Sequence, residues 1–172
     1  GEGELPEEFA RQLEKENLET QTLSLLNVDA IPEDAACLMI YAPQSDISQE
    51  EREILSQYVS GGGRLLVCAG AVEDGLLENL YGLLSDYGIT AHDGLVVDMD
   101  RAHYAMVPYL LMPDLNSSDI TDPLIDSNYY TYLPLSIGLT VGEETGRGTV
   151  TALLTTSEGS YSKAAGYELE TY

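Results

Sequence analysis

The sequence runs to 172 residues and is 44% apolar, which is enough for a real core and too much for a chain disordered by composition. Seven Lys and Arg stand against thirty Asp and Glu, a formal charge of −23; such a surface repels nucleic acid and anionic lipid headgroups, which disfavours both as partners. No apolar stretch approaches the ~18 residues of a membrane span, and no signal peptide opens the chain. Gly1 is followed at once by acidic residues, so the expectation is a piece of a longer protein whose flanks carry any anchors.

Taken in chain order, Leu5, Phe9 and Leu13 recur at helical spacing and predict a helix over residues 5–17. In LETQTLSLL, Leu18, Thr20, Thr22 and Ser24 alternate and predict a strand closed by Leu25 and Leu26, before a turn at Pro32. Cys37 to Ala42 is a continuous apolar run of strand length, stopped by Pro43. Ser48-Gln49-Glu50-Glu51 reads as a capping box opening a helix that buries Ile54, Leu55, Tyr58 and Val59. Gly61-Gly62-Gly63 ends that helix. Arg64 to Ala69 is another buried strand, Leu76 to Tyr87 an apolar helix stopped by Gly88, and Ile89 to Ala91 and Leu95 to Val97 short strands. This β-α-β-α-β order, on a spacing of about thirty residues, predicts a parallel sheet with helices on its faces. A single domain over 1–172 is expected, with a long irregular segment at 98–131 that holds one short helix near Leu124, and C-terminal strands and tail at 132–172. Within that tail, Tyr132 to Val141 and Thr149 to Thr155 read as strands, separated by a turn from Gly142 to Gly148, and 157–172 has no clear period.

Chemistry-bearing motifs are scarce. Cys68 ends a buried strand before a helix, where amidotransferases on this fold carry a nucleophile, but Leu66 and Val67 replace the glycine such an elbow needs. Cys37 and Cys68 both lie in apolar runs and read as free, buried core thiols, Cys68 as non-catalytic. His92 and His103 are not at metal-ligand spacing, and the run from Asp98 to Tyr104 lacks the glycine and terminal glutamate of a calcium loop. The glycine triplet precedes a strand instead of a helix, the wrong order for a phosphate loop. Ser157 and Ser160 have no partnered acid and base in sequence. No metal, cofactor or catalytic residue is therefore assigned. Of twelve tyrosines, Tyr104, Tyr109, Tyr129, Tyr130 and Tyr132 cluster in or beside the irregular segment. A recognition surface is one reading of them; the favoured one is that they pack the loop onto the sheet.

Ile31-Pro32-Glu33-Asp34-Ala35, then LMIYAPQSDISQEEREILSQYVSGGGRLLV, then LYGLLSDYGITAHDGLVVD, together resemble the gliding-motility-type (GldG-like) auxiliary domain of bacterial ABC transport systems. Tyr58, Gly62, Gly63, Leu65, Tyr87-Gly88-Ile89, Val96-Val97-Asp98 and Leu153-Leu154-Thr155-Thr156-Ser157 carry the match, which covers nearly the whole chain. The resemblance implies a flavodoxin-like, class I glutamine amidotransferase-like three-layer sandwich with a mainly parallel sheet and without catalytic residues. It also implies an extracytoplasmic, membrane-anchored setting, membrane transport subunits as partners, and a binding or scaffolding role; a hydrolase or amidotransferase on the same fold is the alternative. The family's usual first strand and following Gly-His-Gly-Glu are not matched, since the chain opens Gly1-Glu2-Gly3-Glu4 with Glu2 in the His position. A ligand, of unknown chemistry, is expected beyond the carboxyl ends of the parallel strands. Gln44, Ser45, Gly70, Asp98 and Tyr104 are the candidates, with Gln44 and Ser45 offering hydrogen bonds and Tyr104 an aromatic wall.

Overall fold

The computed structural model describes residues 5–28, 30–72, 75–142, 145–164 and 169. The opening Gly1-Glu2-Gly3-Glu4, two residues of the 142–148 turn and most of the tail beyond 164 lie outside the described residues. The chain divides into two compact units, Gly1–Ala69 and Gly70–Tyr172.

The first unit begins with α1 (Glu7–Lys15), whose apolar residues recur every turn and whose Arg11 pairs with Glu8. The strand expected from Leu18 to Leu26 does not form. That stretch is irregular and ends in one 3-10 turn, Leu25–Asn27, with Leu18 and Leu26 exposed. Alternation marks a strand only where a partner ladder exists to take its backbone groups. β1 (Leu38–Tyr41) and β2 (Leu65–Cys68) pair in parallel, Leu38 opposite Leu65 and Tyr41 opposite Cys68. α2 (Gln49–Ser60) connects them and buries Leu55 completely. Its capping box is closed at both ends: the Glu51 amide donates to Ser48 Oγ at 3.1 Å, and the Ser48 amide donates to Glu51 Oε2 at 2.8 Å. Gly61 caps its C-terminus and Gly62 follows at φ +95°, the left-handed geometry that makes glycine the stop residue. Cys37 sits outside β1 and is exposed, and Cys68 is half-buried; both are free thiols. Expecting two core thiols was thus wrong for Cys37, because the apolar run starts one residue before the pleat that covers it. The two stand four register steps apart along the ladder, about 13 Å at ~3.3 Å per residue and beyond the reach of a disulfide.

The second unit opens with α3 (Glu78–Ser85), which buries Leu80, Tyr81 and Leu83 and stops at Gly88, φ +84°. β3 (Ile89–His92) and β4 (Leu95–Asp98) follow, and all four residues of β4 are buried. β5 (Leu110–Leu111) and β6 (Asp114–Leu115) come next, then the short α4 (Asp122–Asp126), β7 (Leu133–Pro134), β8 (Gly138–Val141), β9 (Leu154–Thr155) and β10 (Ser160–Lys163). The pairs are β3 with β8, β4 with β10, β5 with β7 and β6 with β9, all antiparallel. Beyond β10, the amides of Val96 and Asp98 donate to the carbonyls of Ser136 and Pro108, so loop backbone also serves β4. Gly94 enters β4 at φ +91°, where a Cβ would drive into the Lys163 carbonyl across the ladder. The strand expected over 132–141 is broken into β7 and β8 by Leu135 at φ +51°, and the one expected over 149–155 shrinks to β9.

The flavodoxin-like, amidotransferase-like parallel sandwich is therefore not the fold. Among the described residues, ten strands make five two-stranded ladders, and only β1–β2 is parallel. The expectation fails for a physical reason. The apolar run at β4 reports burial, not partnership, since a strand buried on both faces looks the same in either kind of sheet, and the four residues of β3, with Thr90 and His92 exposed, carry no mark of their partner either. Here their partners come from far along the chain, His92 facing Gly138 of β8 and Leu95 facing Lys163 of β10. The irregular segment at 98–131 holds the one short helix expected near Leu124, as α4, and also two short strands that were not expected, β5 and β6.

Candidate functional site

β4 ends on Asp98, a carboxylate with no exposed surface. Burial alone would raise its pKa. Three donors outweigh it: Ser157 Oγ at 2.5 Å, the Ser157 amide at 2.9 Å and the Asp100 amide at 3.0 Å, and with the charge of nearby His103 they hold Asp98 below the usual carboxylate range. The next turn is built the same way, with the Ala102 amide donating to Asp100 Oδ1 at 3.0 Å. His103 then stands between two carboxylates. Its Nε2 is 3.1 Å from Asp114 Oδ2, and its buried Nδ1 lies 3.3 Å from Asp100 Oδ2, outside hydrogen-bonding geometry. The hydrogen bond to Asp114 chiefly raises the His103 pKa; burial opposes it, and the charges of Asp114, Asp100 and Asp98 reinforce it.

This brings a serine, a histidine and aspartates to one end of β4, yet the order is wrong for acyl transfer. A serine nucleophile needs its hydroxyl proton on an imidazole that a carboxylate orients. Ser157 Oγ donates instead to Asp98 and accepts from the Gly159 amide at 3.1 Å, while His103 faces Asp114 and Asp100. What the cluster does is tie the 157–159 turn to the end of β4. The sequence showed Asp98 and Ser157 separately; only the β4–β10 pairing brings them together. Among the described residues no group of three or more His, Cys, Asp or Glu side chains is placed to hold a metal ion.

The crevice candidates fall as follows. Gln44 and Ser45 are exposed in the bend after β1, where Gln44 Nε2 donates to the Ala42 carbonyl at 3.1 Å and Ala42 itself sits at φ +43°. Gly70 opens the second unit, and its carbonyl accepts from the Tyr81 hydroxyl at 3.4 Å. Tyr104 is half-buried, bridges to Leu111 and stacks under the Arg101 guanidinium, 4.6 Å from the ring centre. Asp98 and Tyr104 flank one turn; Gln44 and Ser45 belong to the other unit.

One feature went unread in the sequence and another was read the other way. The first unit holds a concavity of about 510 Å³ between the 30–36 turn and the end of α2, lined by Ile31, Glu33, Ile54, Gln57, Tyr58 and Arg64 among others. Tyr58 shapes it: the hydroxyl donates to the Ala35 carbonyl at 3.3 Å, and the ring lies 2.5 Å from where a Cβ of Gly63 would be. The second feature is the exposure of Tyr129, Tyr130 and Tyr132, at 65%, 68% and 53%. Contrary to the favoured expectation, these three do not pack a loop onto a sheet, whereas Tyr104 and Tyr109 are half-buried.

No match to this chain was found among curated proteins. Among solved structures, one described as "mmIFT52 N-terminal domain" superposes with a TM-score of 0.61 at 22% identity, covering 90% of this chain and 71% of that one. That likeness concerns fold alone, and it sets the chain beside that domain instead of the flavodoxin-like sandwiches the sequence suggested. The model of one family matches residues 2–170, and the chain therefore belongs to the ABC_transp_aux family, described as an ABC-type uncharacterized transport system.

Proposed function

We propose that this chain is a non-catalytic binding or scaffolding domain of the auxiliary component, of the gliding-motility type within its family, and that it works outside the cytoplasm on a membrane-anchored protein. Membership of an ABC-type transport family supplies the setting. The observation that carries the non-catalytic part is the state of Ser157: its hydroxyl proton points at a buried carboxylate, and no imidazole is in position to take it. The motif order around Tyr58, Gly62 and Gly63 and around Val96-Val97-Asp98 supports the gliding-motility type.

The test uses the full-length protein in its own membrane. Ser157→Ala should leave transport intact while lowering the melting temperature, because Asp98 loses its shortest partner; the cost is about 1–3 kcal/mol. Abolished transport in a Ser157→Ala protein with an unchanged melting temperature would favour the enzyme alternative. Protease added from outside the cytoplasm should cut this domain in intact cells, and protection there would refute the location.

A further inference from the structure

We propose that the surface from Ile120 to Tyr132 docks a protein segment with an apolar centre and a basic rim, which gives the partner of the binding reading above its chemistry. Ile120, Leu124, Ile125, Tyr129, Tyr130 and Tyr132 are all exposed within thirteen residues of chain. Scattered exposed apolar residues need no explanation, but a run of six, rich in tyrosine, marks an interaction surface.

The scaffold beneath is well ordered by its own bonds. Thr121 is buried and its hydroxyl donates to the Asn116 carbonyl. Asn116 Nδ2 donates to the Ala152 carbonyl at 2.9 Å, and Asp122 Oδ1 accepts from Ser117 Oγ at 2.8 Å and the Ser118 amide at 3.1 Å. α4 ends with Asn128 at φ +54° and the Tyr129 amide bonded to the Leu124 carbonyl. That closure is a left-handed helix stop, and the two residues it joins, Leu124 and Tyr129, are both exposed. Thr121 is thus buried beneath a stretch that leaves its large apolar side chains in solvent. Next along the chain, Leu135 is exposed at φ +51°, a conformation leucine seldom adopts, held by its amide on the Tyr109 carbonyl at 3.2 Å. The chain keeps a large apolar side chain on the surface there at a conformational cost.

Charge selects the occupant. From residue 102 to 146 there is no Lys or Arg, while Asp119 and Asp126 are exposed within or beside the same stretch of chain. A second copy would bring like charge against like, and an anionic bilayer would be repelled in the same way. A segment carrying Lys or Arg around Leu or aromatic residues meets both features.

The probe is a helical Lys/Leu amphipathic peptide, compared with a Lys/Ser peptide of equal charge and a Glu/Leu peptide of equal apolarity. Binding is measured by fluorescence anisotropy and its footprint by hydrogen exchange, on the chain itself. Failure here leaves the association with transport subunits untouched, so the two readings are separable. The Lys/Leu peptide should protect residues 120–132, bind at least tenfold tighter than either control, and weaken tenfold or more in Tyr129→Ser/Tyr130→Ser. Equal binding of the Lys/Ser peptide, a footprint elsewhere, or indifference to the tyrosine substitutions overturns the proposal. So does self-association lost in the tyrosine variant, which would make a second copy the occupant. Flotation with phosphatidylcholine–phosphatidylglycerol vesicles overturns it in favour of lipid.

Discussion

His103 is the residue whose charge the fold controls most directly. Its folded pKa is raised, mainly by the hydrogen bond to Asp114, so the protonated form is the one the fold prefers. The stability it contributes is fully present below about 6.5, the ordinary histidine value, and is lost as pH rises through the raised folded value. An NMR titration of the His103 ring should therefore show a midpoint above 6.5, and Asp114→Asn should move it down. Asp98 works in the opposite direction. Its pKa is lowered by the Ser157 and Asp100 donors against the effect of burial, so its contribution is present above the ordinary aspartate value and is lost as pH falls through the depressed one. Both residues were visible in the sequence, Asp98 as a crevice candidate and His103 as a failed metal ligand. Neither role was legible, because Ser157 lies far along the chain and Asp114 in what read as structureless loop.

At the level of elements, local chemistry predicts helix ends better than strand partners. Ser48→Ala removes the acceptor for the Glu51 amide and should cost about 1 kcal/mol in urea unfolding without changing the m-value, since one capped turn is lost and not the compactness of the chain. Gly94→Ala should be far worse, roughly 2–5 kcal/mol, because it adds a left-handed alanine to a clash with the Lys163 carbonyl. A Gly94→Ala protein with wild-type stability would show that β10 does not hold β4 as closely as the structure has it. The glycine stops at Gly62 and Gly88 sit where the sequence puts them, since φ near +90° is a property of one residue. The LETQTLSLL segment shows the converse: its alternation is real, but no neighbouring strand takes up its backbone.

On the scale of the whole molecule, the charge of −23 is a standing electrostatic load. Self-repulsion of this kind is screened over about 10 Å at 0.1 M salt and about 3 Å at 1 M. The melting temperature should therefore rise by several degrees, on the order of 1 kcal/mol, between low salt and ~0.5 M sodium chloride. A fall instead would mean that local pairs such as Arg11–Glu8 and His103–Asp114 outweigh the general repulsion. The same load governs partners: an apolar patch set among carboxylates associates with basic surfaces or not at all.

By itself the sequence determined the helices and their stops, the parallel pair β1–β2 across α2, the acidic surface, and the family to which the chain belongs. These follow from neighbours within a turn or a short crossover, where spacing and capping chemistry leave few choices. Only the tertiary structure decided that β3 and β4 turn to β8 and β10, that Asp98 meets Ser157, and that Tyr129, Tyr130 and Tyr132 stay in solvent. Antiparallel pairing between segments far apart along the chain depends on which distant edge fits, and an apolar run carries no record of its partner.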